Sequence, residues 1–211
     1  MHILVERLNK IKSNINKNVN IIAVSKTFPF EDIKPLLDEG HRHFGENKVQ
    51  EADAKWSDYK KENKKILLHM VGKLQSNKSK KAVELFDYIH SLDSQKLAES
   101  LSKHENMLNK KLKYFIQVNI ESETQKSGIA PNLLDGFYNF CTRDLNLDVI
   151  GLMAIPPDDG KANEYFRYLY ETNSSLGLSE LSMGMSGDYP IALKYKSTFL
   201  RIGTLIFGKR T

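Results

Sequence analysis

Short apolar runs alternate along this chain with longer segments whose apolar residues recur every three or four positions. Runs rich in β-branched and aliphatic residues predict strands, and the longer spacing predicts helices with one buried face. Parallel strands need crossover helices of this kind, so the alternation predicts an α/β fold. The eight predicted strands cover residues 20–25, 42–45, 66–71, 86–91, 113–120, 147–152, 180–184 and 199–203.

The predicted helices lie between these strands, and one more precedes them. Residues 3–15 form an amphipathic segment ahead of the first strand, whereas nothing helical is predicted after Phe207. We therefore expect the N-terminal helix to occupy the position of the eighth outer helix. Pro35 cannot donate an intrahelical hydrogen bond, so the helix after the first strand should begin near Asp32, with Pro35 in its first turn.

Eight parallel strands within 211 residues predict a compact (β/α)8 TIM barrel. No internal repeat, linker or shift in composition marks a boundary, so we expect one domain over residues 1–211. Barrels of this kind gather their functional groups at the C-terminal ends of the strands. The residues that follow each predicted strand are therefore the candidates for function.

Composition narrows the class of protein further. Hydrophobic residues make up 40% and charged residues 27% of the chain, which suits a packed globular protein. The net charge of +5 is a mild excess spread along the sequence, so it does not by itself indicate nucleic acid. No stretch approaches the roughly 18 apolar residues of a membrane span. Cys141 is the only cysteine, and Glu6 and Arg7 interrupt the region where a secretory leader would be apolar. We expect a cytoplasmic protein without membrane or nucleic-acid partners.

The first predicted strand leads directly into a lysine. Residues 21–24 are apolar, and Ser25 and Lys26 follow them, so the amine lies at the mouth of the predicted barrel. An apolar surrounding favours the neutral amine, which can attack a carbonyl carbon. Lys26 is therefore a candidate Schiff-base lysine, and a solvated lysine at a strand end is the alternative.

Two stretches near the C-terminus have the composition of an anion site. Residues 181–188 join a short strand to a segment that can open a helix, and residues 201–204 end the last strand. Small residues let the backbone approach an anion, and the first N–H groups of a helix bind it. Each stretch alone is also compatible with a tight turn. Together they favour a phosphate cradle, because the loops after strands seven and eight are the usual phosphate site of barrels.

Other polar and aromatic residues carry weaker signals. Asn47 follows the second strand and either faces the same mouth or caps the next helix. His41 and His43 lie on one side of a strand, but no third ligand stands at metal spacing, so no metal site is predicted. Trp56 and Tyr59 are expected to pack rather than to stack on a ligand.

Several of these motifs occur together in the order that is typical of one family. The chain resembles the pyridoxal-phosphate homeostasis proteins, which are relatives of the alanine racemase N-terminal barrel, a type III fold among proteins that bind pyridoxal 5′-phosphate (PLP). The resemblance covers most of the chain, from about residue 20 to 210. The motifs that carry it are AVSKT at 23–27, FGEN at 44–47, Gly72 with LQSNK at 74–78, KSG at 126–128, GLMAIP at 151–156, SMGMS at 182–186, RIGT at 201–204 and IFG at 206–208.

The resemblance implies a cofactor and a set of residues that bind it. Lys26 is expected to hold PLP as an internal aldimine. Ser186, Gly203 and Thr204 are expected to contact the phosphate, and Asn47 to line the site. None of these residues is assigned a catalytic role.

The resemblance also implies that Arg201 faces the pyridine nitrogen of PLP. A guanidinium stays protonated in the physiological range, so it donates to an unprotonated ring nitrogen and weakens the ring as an electron sink. Racemases with the same arginine use a second domain that supplies a catalytic tyrosine, and only three residues follow Gly208 here. We therefore expect no such domain and no two-base racemisation.

The expected function is storage, buffering or delivery of PLP without strong turnover. The chain is expected to be a monomer, and apo forms of PLP-dependent enzymes are possible partners. A weakly active amino-acid racemase or eliminase is the main alternative. A Schiff-base aldolase acting on phosphosugars and a basic interaction module are the other two.

Overall fold

A closed parallel barrel forms the centre of the molecule in a computed structural model that describes residues 2–120 and 127–208. Each strand pairs with its neighbours in sequence, and the last strand pairs with the first, so the predicted (β/α)8 barrel is confirmed. Lys126 and residues 209–211 lie outside the described residues, so the single-domain assignment for 1–211 stays a prediction. The strands are β1 (Asn20–Val24), β2 (His43–Glu46), β3 (Leu67–Met70), β4 (Tyr88–Leu92), β5 (Lys113–Gln117), β6 (Asp148–Met153), β7 (Glu180–Met185) and β8 (Phe199–Ile202).

Helices connect the strands on the outside of the barrel. In the described ranges they are α1 (Ile3–Lys12), α2 (Phe30–Asp38), α3 (Val49–Glu62), α4 (Ser79–Leu85), α5 (Gln95–Leu108), α6 (Leu134–Asn139), α7 (Ala162–Ser175), α8 (Tyr189–Lys194) and α9 (Thr204–Phe207). Helix α1 packs against α2 and against the one-turn α9, and Arg7 Nη1 donates to the Ile206 carbonyl oxygen at 3.2 Å. The N-terminal helix thus occupies the place expected for the eighth outer helix. None of these helices is long and apolar enough to cross a membrane.

The start of α2 differs from the prediction. The helix begins at Phe30, two residues before Asp32, so Pro35 lies in its interior and not in its first turn. Packing of Phe30 favours the earlier start, because the centroid of its ring lies 5.8 Å from that of Trp56 and 4.9 Å from that of Tyr59. This packing outweighs the backbone hydrogen bond that a proline cannot donate.

Two separate apolar regions stabilise the fold. The larger one, here called the outer layer, lies between the strands and the helices and includes Leu36, Phe44, Trp56 and Phe166. The smaller one lies inside the barrel and consists of Ile22, Phe115, Met153 and Phe199. The remaining interior positions are therefore available to polar residues, which are unusual in a barrel core.

Candidate cofactor site

The turn that carries Lys26 is fixed on both sides of the lysine. Ser25 is fully buried at the end of β1, and its N–H donates to the Gly45 carbonyl oxygen at 2.9 Å. Thr27 has a φ of +70°, and its N–H donates to the Glu51 carboxylate. Lys26 itself is half-buried between these two anchored residues. The backbone therefore holds the amine-bearing residue at the C-terminal mouth of the barrel.

A buried carboxylate supports this turn from behind. Glu46 Oε1 accepts hydrogen bonds from Ser25 Oγ at 2.8 Å, from Lys55 Nζ at 2.9 Å and from Trp56 Nε1 at 3.0 Å. Lys55 also donates to the Ser25 carbonyl oxygen at 2.8 Å. Because Glu46 is fully buried, the Lys55 ammonium is needed to balance its charge. This ion pair fixes the residue that precedes Lys26.

The ends of β1 and β8 lie side by side. Ala23 is in register with Ile202, so the turn after β1 is next to Gly203 and Thr204. A Cβ placed on Gly203 would lie 3.8 Å from Val24 Cβ, which is ordinary contact distance. The structure therefore brings Lys26 and the start of α9 to neighbouring strand ends.

Arg201 places a fixed cation within this arrangement. Its side chain is 4% exposed. Nη1 donates to the Ser182 carbonyl oxygen at 2.6 Å and to Ser182 Oγ at 2.7 Å, and Nη2 donates to the Ala154 carbonyl oxygen at 2.9 Å. Burial lowers the pKa of Arg201 to about 10, and the Asp188 carboxylate acts in the opposite direction. The guanidinium is therefore still protonated at neutral pH.

The loops after β7 and β8 contact each other. The Leu205 N–H donates to Ser186 Oγ at 3.3 Å, which joins the two loops directly. Gly203 stands at the N-cap position of α9, and Thr204 is exposed in its first turn. Ser186 and the first turn of α9 are thus held together at the ends of β7 and β8.

Asn47 follows the end of β2, the strand that pairs with β1. The N-cap of α3 is Lys48, so Asn47 does not cap that helix, and its side chain is half-buried. Gly72 lies against it, because a Cβ on Gly72 would come within 2.4 Å of the Asn47 carbonyl oxygen and 2.7 Å of its Cα. Only glycine allows this close approach without a backbone shift.

A cavity of about 400 Å³ opens at this side of the mouth. Its lining includes Asn47, Gly72, Lys73 and Gln117. Of the six residues predicted from the sequence, Asn47 alone lines it. The other five follow or end β1, β7 and β8, which are contiguous with β2 in the barrel, so all six lie toward the same mouth. Their roles as ligands stay predictions.

Sequence reasoning missed the hydrogen-bonded network of polar residues beneath this mouth, although it had singled out His43. Ser182, His90, His69 and His43 form a hydrogen-bonded series inside the barrel that ends on Arg201. The available signal was the presence of polar residues within otherwise apolar strands, as His69 in residues 67–70 and His90 and Ser91 in residues 88–92. Such residues are costly to bury without partners, so their presence in a strand facing the interior indicates a network.

The histidines identified from the sequence are part of this region. His41 Nε2 bonds the His43 carbonyl oxygen at 2.9 Å, and His43 Nδ1 bonds His69 Nε2 at 3.0 Å. Within residues 2–120 and 127–208, no group of three or more His, Cys, Asp or Glu residues is arranged to hold a metal ion. Trp56 is fully buried and packs in the outer layer, as predicted.

Comparison with known proteins defines the class. The family model described as "Alanine racemase, N-terminal domain" matches residues 2–211. The fold is also that of an alanine racemase from Clostridium difficile, with a TM-score of 0.76 at 14% sequence identity. That match covers 98% of this chain and 56% of the racemase. The chain thus belongs to the class defined by the alanine racemase N-terminal domain.

Curated relatives specify the family within this class. A pyridoxal phosphate homeostasis protein from Vibrio cholerae is 40% identical over 203 residues, covering 92% of this chain and 86% of the relative. The one from Aquifex aeolicus is 34% identical over 219 residues, covering 98% and 95%. The chain belongs to the family of pyridoxal phosphate homeostasis proteins. The structure of PipY from Synechococcus elongatus with PLP bound has a TM-score of 0.90 at 37% identity and covers 98% of this chain and 100% of PipY.

Proposed function

We propose that this chain binds PLP at the C-terminal mouth of its barrel and takes part in PLP homeostasis as a carrier without strong turnover. The family supports this proposal, as does the presence of PLP in the PipY structure. The proposed ligands are Lys26, Asn47, Ser186, Arg201, Gly203 and Thr204. A cytoplasmic location, a monomeric state and transfer to apo PLP-dependent enzymes are further parts of the same proposal.

The donor set at the mouth fits the chemistry of PLP. The amine of Lys26 can form a C=N bond with the aldehyde carbon, and one water molecule is released. The Ser186 and Thr204 hydroxyls and the backbone around Gly203 supply donors for a phosphate. When bound, PLP supplies an electron-withdrawing ring and a reactive aldehyde. The protein residues orient the molecule and restrict that reactivity.

The observation that carries the proposal is the buried guanidinium of Arg201. The Ser182 and Ala154 acceptors hold it at the end of β8, beside the strand that ends in Lys26. A protonated arginine donates to a ring nitrogen and does not protonate it. A ring nitrogen without a proton accepts electrons less well, which favours holding the cofactor over carbanion chemistry.

Reductive trapping tests the site directly. The purified chain is incubated with PLP, reduced with borohydride and mapped by peptide mass spectrometry. We expect a pyridoxyl adduct on Lys26 that is absent from Lys26→Ala. Lys73→Ala is the matched control, because Lys73 lines the cavity at the same mouth. An adduct on Lys73, or none on the wild-type chain, overturns the assignment.

Turnover assays test the carrier role. The PLP-loaded chain is incubated with a panel of L-amino acids, and D-isomers and keto acids are quantified. We expect no robust racemisation or elimination. Robust turnover that is lost in Lys26→Ala overturns the carrier role and favours a racemase or eliminase.

A further inference from the structure

A series of hydrogen-bonded side chains crosses the barrel from one mouth to the other. Arg201 Nη1 donates to Ser182 Oγ at 2.7 Å, and Ser182 Oγ lies 2.8 Å from His90 Nδ1. His90 Nε2 lies 2.9 Å from His69 Nδ1, and His69 Nε2 lies 3.0 Å from His43 Nδ1. We call these five residues the relay. They connect the candidate cofactor site to the N-terminal mouth, where β2 begins at His43.

The relay is buried along most of its length. His69, His90 and Ser182 are fully buried, whereas His43 is partly exposed. The His90 ring stacks on Phe115 at 4.4 Å and the His69 ring on Tyr88 at 4.3 Å, measured between centroids. Apolar branched residues normally fill such positions, and buried polar groups are costly unless they are bonded. Each buried relay residue is bonded to the next, so the series is a connected network.

Arg201 sets the direction of every hydrogen bond in the relay. A guanidinium can only donate, so Ser182 Oγ accepts from it. Among the described residues, Ser182 Oγ has no third partner, so its own hydrogen points to His90 Nδ1. An imidazole that accepts at Nδ1 carries its hydrogen on Nε2 and donates to the next ring. The reverse order would leave the serine hydrogen without an acceptor.

All three imidazoles are neutral in this arrangement. Burial lowers the pKa of His43, although the Asp87 carboxylate acts in the opposite direction. Burial lowers the pKa of His90 well below its usual range, and the Arg201 charge adds to the effect. Burial lowers the pKa of His69 in the same way, with the neighbouring His90 and His43 acting in the same direction. A neutral imidazole has one donor and one acceptor, which is what a one-way series requires.

We propose that Ser182, His90, His69 and His43 are positioning residues that hold the Arg201 guanidinium in one orientation and link it to the N-terminal mouth. Their role toward the ring nitrogen of PLP rests on the proposed function. The hydrogen-bond order itself does not, because it exists in the protein without a cofactor. His43 lines a cavity of about 290 Å³ at the N-terminal mouth together with Lys12, Lys17 and His41, so the relay ends where solvent can reach it.

Nitrogen NMR on the full chain tests the order without PLP. In ¹⁵N-histidine-labelled protein we expect His90, His69 and His43 each to carry hydrogen on Nε2. Ser182→Ala should move the Nδ1 signal of His90, because that nitrogen loses its donor. Ser182→Thr keeps the hydroxyl and should leave the signal in place. Ser91→Ala is the matched control, since Ser91 Oγ is also buried but has no hydrogen-bond partner among the residues that the structure describes. Hydrogen on Nδ1 of His90 or His69 in the wild type overturns the proposal.

A variant at the His43 end tests whether a change at the N-terminal mouth reaches Arg201 through the relay. His43→Ala removes the partly exposed terminal ring, so the chain should fold even if a deeper substitution does not. We expect the Nε2 signal of His69 and the side-chain signals of Arg201 to move. Lys17→Ala alters the same cavity without touching the relay and should move neither. Unchanged Arg201 signals in His43→Ala overturn the link between the two mouths.

Cofactor titration then measures the positioning effect. Ser182→Ala removes one hydrogen bond to a charged group, so PLP affinity should fall roughly tenfold or more. The affinity is measured by titration with PLP, monitored by visible absorbance. Ser182→Thr should restore affinity, and Ser91→Ala should retain it. Equal affinity and an equal absorption maximum in Ser182→Ala and the wild type overturn the positioning role. Failure of the wild-type chain to bind PLP would instead count against the proposed function, while the NMR result still judges the relay.

Discussion

The outer layer and the barrel interior are built on different principles. The outer layer is a continuous apolar region in which Phe44, Trp56 and Phe166 are fully buried. The interior has only a small apolar cluster, and beside it lie a cation, a hydroxyl and imidazoles that bond one another. Apolar burial stabilises without direction, whereas each interior hydrogen bond fixes an orientation.

This difference indicates a division of tasks within one fold. The outer layer provides most of the stability, because burying a large apolar side chain contributes about 1.5–3 kcal/mol. The interior fixes Arg201 beneath the mouth, and its polar groups contribute little net stability for their number. Substitutions in the two regions should therefore separate stability from cofactor binding.

The largest effect on stability is expected in the outer layer. Phe166→Ala removes a fully buried ring from α7 and should lower the free energy of unfolding by about 3–5 kcal/mol. Urea denaturation measures this change. Tyr170→Ala on the same helix is the control, because Tyr170 is 37% exposed and should cost less than about 1 kcal/mol. Loss of PLP affinity in the folded fraction of Phe166→Ala would contradict the division of tasks.

Arg201→Met should affect PLP affinity as well as stability, unlike Phe166→Ala. The substitution removes the guanidinium that donates to the Ser182 and Ala154 carbonyl oxygens, which costs roughly 1–3 kcal/mol of stability. It also removes the fixed cation, so PLP affinity should fall at least about tenfold by absorbance titration. A variant that keeps wild-type affinity would show that the interior cation has no part in binding.

A substitution at the mouth should lower stability less than Phe166→Ala does. Gly72→Ala places a Cβ within 2.4 Å of the Asn47 carbonyl oxygen, so the backbone must shift at a cost of roughly 1–3 kcal/mol. Gly136→Ala in α6 is the matched control, because nothing lies within 4 Å of its Cβ, and it should stabilise by about 0.4–1 kcal/mol. Thermal unfolding of both variants decides the point, and equal melting temperatures would be inconsistent with the close approach.

The smallest effect is expected from the pH dependence at His41. Burial lowers the pKa of His41 to about 3, so the unfolded chain takes up the proton first as the pH falls. This contribution to stability is complete above about pH 6.5 and is lost as the pH falls toward 3. Between pH 7 and 5 the wild type should lose about 1–2 kcal/mol more than His41→Gln in denaturant unfolding. Parallel losses in the two proteins would show that His41 is not held neutral.

Much of the barrel could be predicted from local sequence patterns. All eight strands lie within three residues of their predicted ends, because buried parallel strands are short apolar runs bounded by polar residues. The predicted start of α2 was wrong, because the packing of Phe30 on Tyr59 cannot be predicted from the local spacing of apolar residues.

The candidate site was predictable in part for a similar reason. Lys26 and the loops at 182–186 and 201–204 follow strand ends, and parallel strands bring such residues to one mouth. The motifs do not reveal that Lys55 and Trp56 converge on Glu46 behind the lysine turn. That convergence depends on where α3 packs, which involves contacts across the whole barrel.

The sequence by itself determined the alternation of strands and helices, the family and the order of the polar motifs, because these follow from local spacing and residue type. Only the tertiary structure decided that His43, His69 and His90 meet one another and end on Arg201 through Ser182. These residues are up to 158 positions apart in the printed sequence, from His43 to Arg201. Their contact requires the curvature and closure of the barrel, which turn one side of each strand toward a common interior.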